Sequence, residues 1–435
     1  MSSSFRFVYP VLLRSSLIST ALLISSGLHA AEFKFDFGSG EAQPGYTQVA
    51  PQTAYDPQRG FGFLEPAAAP DKPSVFAVDV EEGNYDVTIR FGHPETATST
   101  TIKAESRRLM LEKVETEPGN FETRTFTVNV RKPEIAPGIR TTLTDNEKGP
   151  PPVPNWDEHL SFEINGRRPG VDSIEIKPAK DAVTVFLAGD STVTDQAREP
   201  WGGWGQMLPR FFQPDVAVSN HAWSGLALYS FEGQNRLEKV LTMMKKGDYL
   251  FIQFGHNDQK DKRPGSGPFT SYKKNLKRFV DAARTKGGIP ILVTPMERRR
   301  FERDGKQSAT LADFAEAVRQ VGAEENVPVI DLNAMSLKLY AALGPEKSKK
   351  AFVYYPANTY PDQDKPLKDD THHNTYGGYE LARCVVEGIK ANVPELAARL
   401  AEDAGTFDPA HPDPPENVDI PPSPVKGASE TPEGS

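Results

Sequence analysis

From about Lys180 onward, five short apolar runs alternate with longer segments of helical period, and few chain geometries satisfy that pattern. The runs are Val183 to Ala188, Val216 to Val218, Tyr249 to Phe254, Ile289 to Thr294 and Val327 to Leu332. Between them, Phe231 to Lys245, Tyr272 to Thr285 and Ser308 to Glu325 read as helices. A strand that is apolar on both faces must be covered on both, and strands separated by helices run parallel. Residues 181–400 are therefore expected to form an α/β domain around a parallel sheet. Ligands in such sheets bind beyond the carboxyl ends of the strands, so the ends of these runs are where chemistry is expected.

Upstream the period changes from helical to two. Phe33-Lys34-Phe35-Asp36-Phe37, Tyr85 to Phe91 and Phe121 to Val130 alternate apolar and polar, separated by Gly and Pro clusters such as Glu117-Pro118-Gly119. Leu160 to Asn165 and Ser173 to Ile176 continue the pattern beyond the Pro-rich stretch 149–154. Residues 32–178 thus predict an all-β sandwich. Residues 405–435 are rich in Pro, Glu, Asp and Ser and are expected to be disordered, because they carry too little apolar surface to offset their ordering entropy.

Residues 1–30 carry Arg6 and Arg14, an apolar run from Leu17 to Leu28 and small residues before Ala31, the pattern of a cleavable export signal. A retained anchor is the alternative. Export to the periplasm or outside the cell follows, and loss of two arginines and no acid takes the formal charge from −9 to −11. That charge, without any block of five or six basic residues, argues against nucleic acid and anionic membranes as partners. The single cysteine, Cys384, lies in an apolar helical stretch and reads as a buried small hydrophobe rather than a catalytic thiol.

Four polar clusters fall where a site belongs. The first run ends in Gly189-Asp190-Ser191, a serine delivered onto a Gly-containing turn. Helix capping explains that triplet equally well. Asn220 to Gly225 follows the second run, and Gly225 can turn its backbone N–H towards the same pocket or simply close a tight turn. Phe254-Gly255-His256-Asn257-Asp258 ends the third run. Asn257 can offer a side-chain N–H to an oxyanion or close an Asx-turn. Asp369-Asp370-Thr371-His372-His373 precedes the last helix, with two registers open, Asp369 with His372 or Asp370 with His373. An Asp that fixes the tautomer of a His beside a Ser is the logic of a serine-hydrolase triad. A metal site is the alternative use of this cluster, although no evident ligand set completes it.

Taken together, Gly189-Asp190-Ser191, Gly225, Gly255-x-Asn257-Asp258 and Asp369-x-x-His372 resemble the blocks of the SGNH (GDSL) hydrolase superfamily. Gly203-Trp204-Gly205-Gln206, Thr294 to Phe301 and Asp369 to Gly377 resemble, within it, the rhamnogalacturonan acetylesterase family. The resemblance spans roughly 181–398 and implies a flavodoxin-like three-layer fold with a five-stranded parallel sheet. It implies Ser191 as nucleophile and His372 as base with Asp369. It also implies an oxyanion hole from the Ser191 and Gly225 N–H groups and the Asn257 side chain, with no cofactor or metal. The implied activity is removal of acetyl groups from a plant cell-wall polysaccharide or its oligosaccharides. Acetyl-xylan esterase, a lipase or thioesterase of the superfamily, and a non-catalytic carbohydrate-binding protein are the rivals. Leu226-Ala227 stands where such enzymes often carry Arg-Ser. Phe35-Asp36-Phe37-Gly38 and Pro44-Gly45-Tyr46 resemble, more loosely, a galactose-binding-like domain. Arg298, Arg299, Arg300 and Arg303, just past the fourth run, can meet galacturonate carboxylates, and Trp223 can stack on a sugar ring. A solvated, salt-bridged loop and a core aromatic are the plainer uses of those residues.

Overall fold

The computed structural model describes residues 32–67, 69, 72–148 and 155–424, together with the isolated positions Met1 and Pro432. The segment expected to be an export signal, Met1 apart, and the Pro-rich stretch 149–154 lie outside the described residues.

The period-two segments pair as the alternation requires. One sheet runs Thr47–Gln48, Phe33–Asp36, Val171–Pro178, Gly83–Gly92, Phe121–Val130, antiparallel except for its first pair. The other runs Phe61–Glu65, Ser74–Asp79, His159–Arg168, Thr98–Ala104, Arg108–Thr116, antiparallel throughout. Their inward residues, among them Phe35, Phe76, Val87, Ile89, Ile102, Phe162 and Ile174, form one buried cluster between the sheets.

The five apolar runs become β1 (Val183–Gly189), β2 (Val216–Asn220), β3 (Tyr249–Gln253), β4 (Ile289–Val293) and β5 (Val329–Ile330). All pairs are parallel, in the order β2-β1-β3-β4-β5, one of the two common doubly wound orders. Alternation along each strand sends residues to opposite layers. Phe186, Ala188, Leu250, Ile252 and Leu292 pack with the helices Arg236–Met243, Lys273–Thr285 and Ala312–Glu325. Val185, Leu187, Tyr249, Phe251, Ile291 and Val293 pack with Leu332–Lys347 and Thr375–Asn392. Cys384 is fully buried in that second layer, where burial pushes its thiol well up and leaves it inert.

Two helices depart from the expected bounds for local reasons. Phe231 to Lys245 is two helices, Leu228–Gly233 and Arg236–Met243, because Asn235 between them adopts a left-handed φ of 58°. The third expected helix begins at Ala312 rather than Ser308, since the N–H groups of Thr310 and Leu311 are taken by the Glu297 carboxylate.

The expectation of disorder over 405–435 is corrected for its first part, while the remainder, Pro432 apart, lies outside the described residues. Residues 405–424 follow a defined path. Phe407 is buried in the hydrolase core, and Tyr376 Oη donates to Asp413 O at 2.7 Å. The segment then crosses to the β domain. There Lys103 Nζ donates to Pro421 O and Asn165 Nδ2 to Pro422 O, each at 2.7 Å, and Ser423 Oγ donates to Glu163 at 2.6 Å. Composition missed this because a few apolar residues, Phe407 with the half-buried Val418 and Ile420, combine with polar side chains from both domains that reach the segment's backbone.

Candidate active site

The turn after β1 is tight for a steric reason. A Cβ on Gly189 would lie 2.5 Å from the Val193 side chain and 3.0 Å from Gln253 O, so only glycine lets the chain turn there. Asp190 O then accepts the N–H groups of Val193 and Thr194, and Asp190 Oδ1 accepts both the N–H and the hydroxyl of Thr192. The Asp190 carboxylate is fully buried. Burial alone would raise its pKa, but the His256 imidazole, with Nδ1 at 3.4 Å, and the bonds from Thr192 hold it below the ordinary value.

Ser191 sits on this turn, 4% exposed, with Oγ 2.8 Å from His372 Nε2. His372 Nδ1 lies 2.8 Å from Asp369 Oδ2. Asp369 Oδ1 accepts the N–H groups of Thr371 and His372 at 2.7 and 2.9 Å. Burial pushes the Asp369 pKa up, but the hydrogen bonds and charge of His372 prevail and hold it below the usual range. An ionised Asp369 keeps the imidazole proton on Nδ1, leaving Nε2 free to accept from the serine hydroxyl.

Of the two registers left open, the structure forms Asp369 with His372. His373 turns into the core, where Tyr340 Oη meets Nε2 at 2.8 Å and burial lowers its pKa to about 3. Asp370 points the other way, to Arg299 Nη1 at 2.7 Å and Tyr354 Oη at 2.5 Å.

The second loop clasps the first, Trp223 N–H donating to Gly189 O at 3.2 Å. Gly225 follows with a φ of +81°, a conformation that favours glycine. Among the described residues, neither the Ser191 nor the Gly225 N–H has an acceptor. The Asn257 amide is aimed by one bond, Nδ2 to Leu226 O at 3.0 Å, which leaves its other N–H available. Leu226 and Ala227 are both buried, so the departure at this point replaces polar side chains with core packing.

The expected sugar-contacting residues have other attachments. Arg298 donates to Gln259 Oε1 at 3.0 Å and approaches Thr310 Oγ1 and His256 O. Arg299 is fastened to Asp370, Ser348, Tyr354 and Pro345 O. Trp223 is 7% exposed within a core cluster.

Sequence reasoning missed the residues that hold the serine loop from the other domain. The turn between strands Thr98–Ala104 and Arg108–Thr116 presents Arg107, whose Nη1 donates to Gln196 O and Trp201 O, each at 2.9 Å. Its Nη2 lies 2.5 Å from Glu199. Gln196 in turn donates Nε2 to Ser191 O at 2.8 Å, and the Trp201 ring stands edge-on to His372, centroids 5.8 Å apart. Arg108 Nε donates to buried Asp195 at 2.7 Å, and Asn220 Nδ2 donates to the other oxygen of the same carboxylate. No local pattern announces these partners, which lie 87 to 94 positions apart.

A doubly wound domain with a Ser–His–Asp relay at its strand ends, facing two free backbone amides, defines a serine-type carboxylic ester hydrolase. Residues 187–380 match the GDSL-like lipase/acylhydrolase family, and residues 33–72 match the galactose-binding-like domain of β-agarase/YXIM-type esterases. The chain is 42% identical over 213 residues to the rhamnogalacturonan acetylesterase RhgT of Bacillus subtilis (strain 168), covering 48% of this chain and 91% of that one. It is 26% identical over 375 residues to the uncharacterized esterase YxiM of the same organism, covering 82% and 90%. Among solved structures, an acetylxylan esterase, Axe2, from Geobacillus stearothermophilus matches at 20% identity and a TM-score of 0.31, over 48% of this chain and 94% of that one. The chain belongs to the GDSL-like lipase/acylhydrolase family.

Proposed function

We propose that this esterase removes acetyl groups from rhamnogalacturonan, with Ser191 as nucleophile, His372 as general base and acid, and Asp369 as its orienting carboxylate. The observation that carries the chemistry is the continuous relay from Asp369 through His372 to Ser191, two 2.8 Å contacts long. His372 Nε2 takes the hydroxyl proton as Ser191 Oγ attacks the acetyl carbonyl. The oxyanion is held by the N–H groups of Ser191 and Gly225 and the Asn257 amide. His372 returns the proton to the departing sugar oxygen, and water then hydrolyses the acetyl-serine by the same route. The polysaccharide is read from the likeness to RhgT, which runs over 91% of that enzyme. An exported location, read from residues 1–30, suits a polymer too large to enter a cell.

Two assays test the reading. Ser191→Ala should lower turnover of p-nitrophenyl acetate by on the order of 10⁴ or more, and activity near wild type would remove Ser191 from its role. Acetate release should be faster from acetylated rhamnogalacturonan than from acetylated xylan, and the opposite preference would overturn the substrate.

A further inference from the structure

We propose that the hairpin following β4 forms a carboxylate subsite, in which Arg300 and Arg303 hold a uronate of the polymer while a neighbouring sugar presents its acetyl group to Ser191. This rests on the substrate proposed above and adds the residues that select it.

A cleft of about 510 Å³ opens along Arg298 to Arg303, closed by Gly305, Pro345 and Asp370. Its wall includes Asp370, the chain neighbour of the relay's Asp369. Arg299 N–H donates to Asp370 O at 2.8 Å, so the hairpin is fastened to the strand Leu367–His373 that carries Asp369 and His372. Summing the two 2.8 Å contacts with side-chain and Cα spacings places Asp370 within about 15 Å of Ser191 Oγ. A short oligosaccharide spans that distance.

Four arginines line this cleft against two carboxylates, Glu302 and Asp370. Both acids are already engaged, Glu302 by the Ser308 hydroxyl and Asp370 by Arg299 and Tyr354. Arg298 and Arg299 spend their donors on internal acceptors. Arg300 and Arg303 are exposed and make no side-chain hydrogen bond or ion pair among the described residues. Among the described arginines only Arg168 shares that condition, so two of three unpartnered guanidinium groups face one cleft in a chain of net charge −9. The guanidinium fork matches a carboxylate bidentately.

The presentation is also ordered. Phe301 bridges Gln307, Glu302 N–H donates to Lys306 O at 2.8 Å, Gly305 N–H to Glu302 O at 3.0 Å, and Ser308 N–H to Arg300 O at 2.7 Å. The two cations therefore project from a closed hairpin rather than a loose loop, which lowers the ordering cost of binding.

The experiment compares the full-length wild type with the double variant Arg300→Gln/Arg303→Gln. On acetylated rhamnogalacturonan oligosaccharides the variant should lose about ten- to a hundredfold in kcat/KM, mostly through KM, the size expected for one or two charge-assisted contacts. On p-nitrophenyl acetate, which has no carboxylate, it should match wild type, which also shows that it folds. Added salt should raise the wild-type KM for the oligosaccharide and leave that of the variant almost unchanged. Equal kcat/KM for variant and wild type on the oligosaccharide overturns the subsite and leaves the proposed function standing. Failure of wild type on that substrate, with p-nitrophenyl acetate still turned over through Ser191, overturns the substrate and the subsite with it.

Discussion

Carboxylates on the two sides of Ser191 are neutralised in different ways. Towards the β domain, Asp195 and Glu199 meet arginines that belong to another domain, Arg108 and Arg107. Towards the helices of its own domain, Asp190 and Asp258 meet none. Asp190 relies on His256 and Thr192, and Asp258 on the Leu228 N–H at 3.1 Å. The difference teaches what the sandwich contributes. Its own core is apolar, while the guanidinium groups at the Glu105–Arg108 turn are delivered into the loop that carries the serine. The β domain thus supplies the positive half of ion pairs whose negative half borders the Asp369–His372–Ser191 relay, and that is a contribution independent of any sugar.

The largest effect should come from Arg108→Ala. It leaves Asp195 buried with only Arg131, 4.0 Å away, as a cation, and removing one partner of a buried pair costs about 3–5 kcal/mol. Urea unfolding followed by tryptophan fluorescence measures this, and a loss below 1 kcal/mol would break the comparison. Arg107→Ala should act on rate. Freed of its grip on Gln196 and Trp201, the loop should misplace Ser191 and His372 enough to cut kcat on p-nitrophenyl acetate about tenfold or more, with KM little changed. Arg107→Lys should recover part of the loss, since one ammonium cannot reach every acceptor. An unchanged kcat for Arg107→Ala would reduce the contact to simple adhesion.

The smallest effect belongs to the other side. Burial raises the Asp258 pKa to about 7, opposed by the backbone N–H of Leu228. The folded state therefore holds a proton that the unfolded chain releases near pH 4. The associated stability is complete below pH 4 and is lost as pH rises towards 7. Asp258→Asn should leave Tm unchanged at pH 4 and raise it by a few degrees at pH 8. Parallel Tm curves for the two proteins from pH 4 to 8 would show that Asp258 does not carry this charge penalty.

Much of this architecture can be read along the chain, because the signals are local. Gly189-Asp190-Ser191 and Gly255-His256-Asn257-Asp258 stand at strand ends that apolar runs alone identify. The Asp/His register is harder, since Asp370-His373 has the same spacing as Asp369-His372. The family block favours the first, and the structure separates them by packing His373 against Tyr340 and Phe352 and turning Asp370 to Arg299 and Tyr354. The arginine loop shows the limit in another form. Composition marks four guanidinium groups after β4, but which two remain unpaired depends on Gln259, Thr310, Ser348 and Asp370, all brought in by tertiary contact. The segment 405–424 is the clearest failure, because low apolar content predicts disorder only when no other part of the chain binds the backbone.

That same segment has a kinetic consequence. Its contact between Lys103 and Pro421 joins positions 318 apart. Closing so long a loop costs roughly 3 kcal/mol more entropy than closing one of ten residues, so it should form late, after the two domains have already docked. Until then Lys103 and Glu163, a cross-strand pair of the β domain 3.8 Å apart and each 1% exposed when covered, stand open to solvent. In reverse, release of residues 421–424 from the β domain is expected to be a local opening, which limited proteolysis would detect.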